Sequence, residues 1–161
     1  MNNKMKTKNL LGLLLIMTLI FSGCEKETTV PPLAKFKINS VRVEAMPALD
    51  FNNVGWDLFD DADVFFNIED ENHIPYYLGS SYKVGNVAQA DLPVSWSLTS
   101  SYLINDISKI TYVAVYDYDV LDENDPMGYV GFKLEDYIDG KPTTITKSSG
   151  ALTVTITGVW Y

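Results

Sequence analysis

The chain has one cysteine, Cys24, one histidine, His73, and 12 basic residues against 21 acidic ones. A single cysteine excludes an intramolecular disulfide, so the domain must hold together by its core, with or without a metal. Neither a zinc-ligand pattern nor a glycine-rich phosphate loop is present. Any Ser-His-Asp site would have to use His73, which lies in a turn rich in Asp, Glu and Asn with no cysteine or serine context. His73 therefore reads as a solvated turn residue, and the chain as a protein other than an enzyme. The shortage of bases excludes a basic footprint for nucleic acid. Repeats and low-complexity tracts are missing too. Amphipathic helices longer than a turn or two are absent; Leu134-Glu135-Asp136-Tyr137-Ile138, before Asp139-Gly140, suits one short helix. The longest apolar run, Leu10 to Phe21, falls short of the roughly 20 residues that span a bilayer.

That run is informative for another reason. Lys4, Lys6 and Lys8 precede it and Ser22-Gly23-Cys24 comes directly after it, the pattern of a secretory signal over residues 1–23. Phe21-Ser22-Gly23-Cys24 resembles the bacterial lipobox, with Phe21 in place of the usual leucine. The resemblance implies cleavage before Cys24, lipid on its sulfur and a membrane anchor there. Residues 24–34 then form the lipidated cysteine and a tether. Glu25-Lys26-Glu27-Thr28-Thr29-Val30-Pro31-Pro32 is polar and ends in Pro-Pro, without periodicity. Acidic residues directly after the cysteine are similar to surface-export signals of some Gram-negative lipoproteins. The expected location is the outer membrane or the cell surface.

Three bases precede Cys24, so the chain beyond it carries 21 acids against 9 bases, a net charge near −12. Its roughly 137 residues suit one domain with room for a core, expected to be monomeric. The periodicity is that of strands. Apolar alternation marks residues 38–43, 64–68, 75–78, 82–84 (weakly), 94–98, 110–116, 129–134 and 152–160. These β-branched and aromatic runs, separated by Asp, Asn and Gly, predict an all-β, eight-stranded antiparallel β-sandwich over residues 35–161.

Ten of the 21 acids fall in two windows. The first holds Asp50, Asp57, Asp60, Asp61 and Asp63. The second is Asp117-Tyr118-Asp119-Val120-Leu121-Asp122-Glu123-Asn124-Asp125. Gathered carboxylates repel one another unless a cation lies among them, and calcium favours all-oxygen ligands. Asp117 and Asp119 share a face of an extended segment, and the chain returns Asp125 to them. An EF-hand is excluded: its sixth position would be Asp122 instead of glycine, its twelfth Gly128 instead of glutamate, and flanking helices are missing.

Val115-Tyr116-Asp117-Tyr118-Asp119, then Asp125 and Gly128-Tyr129-Val130-Gly131, resembles the third calcium-binding loop of C2 domains. Those are eight-stranded sandwiches that bind calcium and, often, phospholipid. Ala45-Met46-Pro47-Ala48-Leu49-Asp50 resembles the family's first loop, Asp61-Ala62-Asp63-Val64 the start of its second strand, and Asp91-Leu92-Pro93-Val94-Ser95-Trp96 the region before its fifth. The resemblance covers roughly residues 36–161. It implies a Ca²⁺ site with Asp50, Asp61, Asp117, Asp119 and Asp125 as ligands, Asp122 as a further oxygen donor, and the Phe51 and Tyr118 carbonyls completing the shell. Asp61 lies eleven residues after Asp50, a wider interval than the family's, so Asp60, Asp61 and Asp63 remain alternatives. In lipid-binding relatives apolar loop tips enter the bilayer. Val54, Trp56, Leu58 and Phe59 are the corresponding candidates, beside Phe51, for membrane or ligand contact. The family's lysine-rich strand is reduced here to Lys83, which makes anionic headgroup binding there less favourable.

Two readings result. In the first, a membrane-anchored bacterial lipoprotein displays a calcium-binding, non-catalytic module for a membrane surface or a protein partner. In the second, calcium stabilises an adhesin or glycan-binding sandwich, with aromatics such as Tyr76 and Tyr77 meeting the ligand.

Overall fold

In the computed structural model, residues 33–50, 52–56, 61–120 and 123–161 are described. Nine strands occur among them in the order β1 (Phe36–Ala45), β2 (Ala62–Glu69), β3 (Pro75–Leu78), β4 (Val84–Val87), β5 (Val94–Ile104), β6 (Ile110–Asp117), β7 (Pro126–Lys133), β8 (Thr144–Ser149) and β9 (Leu152–Trp160). One sheet has the order β5-β1-β9-β8 and the other β3-β2-β6-β7, with β4 also paired to β2. All pairings are antiparallel. The sandwich is thus as expected, with one strand more than eight. The addition is β8, which presents a single fully buried residue, Ile145, and so lacks an apolar signal. The expected short helix at Leu134 is one 3-10 turn, Leu134–Tyr137.

The core lies between the sheets. Phe36, Ile38, Val41 and Val43 of β1 meet Val64, Phe66 and Ile68 of β2, Val113 and Val115 of β6, and Val154 and Ile156 of β9. Alternation explains which residues these are, because strand side chains point to opposite faces. β2 is buried on both faces: on the outer side Phe65 packs against Tyr116 and Tyr118, and Glu69 meets Tyr116 and His73.

β3 and β4 lie in line along the same edge of β2, at Asn67–Glu69 and at Ala62–Val64 respectively. Gly79 makes the break between them possible. A Cβ there would lie 2.0 Å from the Phe66 carbonyl oxygen, while its N–H donates to Asn67 Oδ1 at 3.2 Å. Only glycine allows that approach.

Register fixes what each end of the sandwich carries. Val43 pairs with Val94, Ala45 with Thr153, Val64 with Asp117 and Tyr116 with Pro126. Residues 46–50, 61, 88–93, 118–120 and 123–125 therefore lie at one end. At the opposite end, Phe36 pairs with Ile104 and Trp160, where the chain enters β1 and leaves β9.

Candidate functional site

The two acidic windows meet at the loop end through the β2–β6 pairing. The Asp63 N–H donates to Asp117 Oδ1 at 2.7 Å, and the Tyr118 N–H donates to the Asp63 carbonyl at 2.8 Å. The Asp117 N–H donates to the Asp125 carbonyl at 2.8 Å, which closes the base of the second loop. The Asp119 N–H donates to Asn124 Oδ1 at 3.1 Å. Gly128, just beyond, has φ of 151°, and a Cβ on it would press on the Leu152 side chain at 3.3 Å. The motif's glycine is thus demanded by the backbone and by packing together. Asp117 is fully buried, whereas Asp119 and Asp125 are half-buried.

Asp63, one of the alternatives in the first window, is joined to Asp117. Its carboxylate is already engaged. It forms an ion pair with the Lys83 ammonium and accepts the Asn86 N–H at 3.0 Å. The ammonium also lies 4.0 Å from the centre of the Tyr118 ring. A cation therefore stands at the meeting point of the windows, and it belongs to the protein. The lysine supplies part of the charge compensation that the acid-rich loops require.

Asp50 and Asp61 are placed differently. Asp50 Oδ1 accepts the N–H groups of Asn52 and Val54, at 2.8 and 2.9 Å, and Oδ2 accepts Asn52 Nδ2 at 3.1 Å. These bonds, led by the one from Val54, hold its carboxyl below the usual carboxylate range. Asp61 lines a small cleft with Met46, Trp56, Val87 and Gln89. Trp56 itself packs against the core and donates its indole N–H to the Pro47 carbonyl at 2.9 Å. Trp56 is only partly buried, and Val54 is exposed. Phe51, Asp57, Leu58, Phe59, Asp60 and Asp122 lie outside the described residues, as does Cys24.

The donors available at the loop end are carboxylates and carbonyls, a chemistry that fits a hard divalent cation. Their placement does not bring a site together: among the described residues, no three Asp, Glu, His or Cys side chains lie close enough to hold a metal ion.

A polar network elsewhere escaped sequence reasoning. Glu69 is 1% exposed on the outer face of β2. Its carboxylate accepts the Tyr116 hydroxyl at 2.8 Å and meets His73 Nδ1 at 3.0 Å and Asn67 Nδ2 at 3.5 Å. The His73 ring lies against Tyr112 and Tyr129, at 4.6 and 4.7 Å between centroids. His73 is thus a turn residue, but its ring caps a buried carboxylate instead of being merely solvated. Burial, reinforced by the bond to Glu69, pushes the Tyr116 hydroxyl well above its ordinary pKa. The signal was the position of Glu69 at the end of a strand reading Val64 to Ile68, opposite Tyr112. Of the two tyrosines expected to meet a glycan, Tyr77 stacks on the core residue Phe66, and Tyr76 is half-exposed and stacked on Tyr102.

No protein-family model matches the chain, and no curated protein matches it. Solved structures do. One is a C2 domain with 15% identity and a TM-score of 0.51, over 79% of this chain and 97% of that one. The paired C2 domains of extended synaptotagmin 2 give 13% identity and a TM-score of 0.53, over 80% of this chain and 41% of theirs. Human GIVD cytosolic phospholipase A2 gives 14% identity and a TM-score of 0.52 over 79% of this chain, which spans 16% of that enzyme's length. At these identities the likeness concerns fold alone. Two antiparallel sheets in this strand order, matched along nearly all of an isolated C2 domain, give this chain the C2 fold.

Proposed function

We propose that the protein is a lipid-anchored, non-catalytic binding module whose loop end recognises a membrane surface or a protein partner with the help of calcium. The observation that carries this reading is the joining of the two acidic windows: Asp63, Asp117 and Asp125 are linked by hydrogen bonds within one end of a C2-fold sandwich. Binding modules of this kind place recognition on loops held by a rigid scaffold. To hold the ion, Asp117, Asp119 and Asp125 would have to draw closer together than they stand here, with Asp63 joining them on release from Lys83. A bound calcium ion would supply positive charge among these oxygens. The anchor at Cys24 keeps the domain at the outer membrane or cell surface, on a tether from which the loop end meets its partner.

Thermal melts test the metal. Extracellular calcium modules bind at about 10⁻⁴–10⁻³ M. At about 2 mM calcium, a site of that affinity stabilises the folded state by roughly 0.6–1.8 kcal/mol, or about 2–8 °C in Tm for a domain of this size. The expected result is a rise over EDTA with calcium and little with magnesium, abolished by Asp117→Asn together with Asp119→Asn. An unchanged Tm at several-fold higher calcium would leave the acids as solvated turns.

A second reading has its own observation. Tyr76 is exposed, stacks on Tyr102 with centroids 5.4 Å apart, and borders a groove lined by Asn105, Asp106 and Lys109. An aromatic face beside polar groups suits a glycan ring. Calcium-independent glycan binding, lost in Tyr76→Ala, would favour this reading over membrane recognition.

A further inference from the structure

The strands of the β5-β1-β9-β8 sheet contain one acidic residue, Glu44, which is paired with Arg42 at 3.3 Å. In a chain with 21 acids, this sheet is therefore nearly free of negative charge. At its end opposite the acidic loops, Lys37 is flanked in register by Leu103 on one side and Val159 on the other. Residues directly opposite on neighbouring strands point to the same face, so the three form a row on the outer surface. Lys35 and Tyr161 exchange two backbone hydrogen bonds, at 3.1 and 2.9 Å, and extend the row toward the end of the sheet. Lys35, Lys37, Ser101, Leu103 and Tyr161 line an open groove of about 460 Å³. Leu33, Leu103, Val159 and Tyr161 are all exposed large apolar residues. Among the described residues no ion pair involves Lys35, Lys37, Lys141 or Lys147, whereas Arg42, Lys83, Lys109 and Lys133 are all ion-paired.

We infer that this patch is a membrane contact in its own right, a base on which the domain rests against an anionic bilayer without calcium. Its composition matches the interfacial zone. Lysine stems lie along apolar surface while their ammonium groups reach phosphate, and a tyrosine has one apolar and one wet end. The crowded acidic windows lie too far away to oppose it: β1 has ten residues, which separate the patch from them by roughly 30 Å, several times the Debye length of about 8 Å. Asp106, just beyond Ile104, is the acid nearest the patch in sequence; it accepts from Ser108 and has Lys109 beside it. Chain geometry supports the same occupant. The first residue of the patch, Lys35, lies eleven residues after Cys24, a segment that reaches about 36 Å at full extension. This last argument rests on the lipid anchor proposed above; the charge and apolarity of the patch do not. Resting on this end, the domain would direct its acidic loops away from the anchoring membrane, toward whatever approaches from outside.

The test uses the chain from Glu25 onward, without lipid. All nine strands and the core lie within the compact unit Leu33–Tyr161, so this chain keeps everything that folds the domain. Co-sedimentation is measured in EDTA with vesicles of phosphatidylcholine alone or with about a third phosphatidylglycerol. Each lysine near such a surface contributes on the order of 1 kcal/mol, or about fivefold in partitioning. The expected result is binding to the anionic vesicles only, weakened about thirtyfold by Lys35→Ala with Lys37→Ala and kept by the Lys35→Arg, Lys37→Arg pair. Leu103→Ser should weaken it further, and Asp117→Asn with Asp119→Asn should not weaken it. Absence of binding in EDTA, or binding indifferent to the lysine pair, overturns the proposal. Binding that needs calcium and the loop aspartates overturns this patch while supporting the loop site, so the two readings fail separately.

Discussion

At the scale of single residues, Lys83 decides the character of the loop end. It is legible in the sequence only as an isolated lysine, because an ion pair twenty residues apart depends on β4 folding back along β2. With its ammonium on Asp63 and over Tyr118, it offsets charge that calcium would otherwise offset. A partly exposed ion pair contributes about 0–1 kcal/mol, and a cation over an aromatic face about 0.5–1 kcal/mol. Lys83→Met should therefore lower Tm in EDTA by a few degrees. It should also enlarge the calcium-induced rise, because Asp63 and its neighbours then lack their internal cation. Melts of both proteins, with and without calcium, read both effects. An equal calcium response in the two would mean that Lys83 and the ion do not share ligands.

At the scale of elements, sequence pattern reveals strands where one face is apolar and fails where it is not. β6 and β9 alternate or run apolar and are plain in the sequence. β8, an edge strand of Thr, Lys and Ser around one buried Ile145, joins the sheet through its ladder to β9 and through hydroxyl pairs, Thr146 with Thr155 and Ser148 with Thr153. Such pairings carry no hydrophobic period. Turns use acids for reasons of their own. Asp50, a ligand by resemblance, caps its turn in the manner of Asp70 at the other end of the sandwich. Asp70 Oδ1 accepts the N–H groups of Asn72 and Ile74 at 2.8 and 2.9 Å, the same i+2 and i+4 pattern as Asp50. Backbone hydrogen bonds, from Val54 and from Ile74 first of all, hold both carboxyls below the usual carboxylate range. A lowered folded pKa gives stability that is present above the unfolded value and lost as pH falls through the folded one. With unfolded aspartates titrating near about 3.9, Tm should decline below about pH 4, and Asp50→Asn with Asp70→Asn should flatten that decline. A decline as steep in the double variant would assign the acid sensitivity to other carboxylates.

At the scale of the whole molecule, both ends carry acids, but on the β5-β1-β9-β8 sheet the bases stand almost alone: Lys35 and Lys37, which have no ion-pair partner among the described residues, lie at the end where β1 begins. Membrane residence would then have two sources that differ physically. Acyl chains on Cys24 would bind through buried CH₂ groups, each worth about 0.8 kcal/mol, and salt would leave that unchanged. The lysine patch would bind through charge, which about 1 M salt screens to a Debye length near 3 Å. Expression in a bacterial host, then fractionation, separates them. The unaltered chain should stay with the membranes through a high-salt wash. Cys24→Ser should leave only a fraction there, released by the wash, and Cys24→Ser with Lys35→Ala and Lys37→Ala should leave almost none. Salt-resistant membrane association of the Cys24→Ser chain would place the anchor elsewhere. The domain would then be held by an apolar surface or a protein partner, and the lipobox reading of Phe21 to Cys24 would fall with that result.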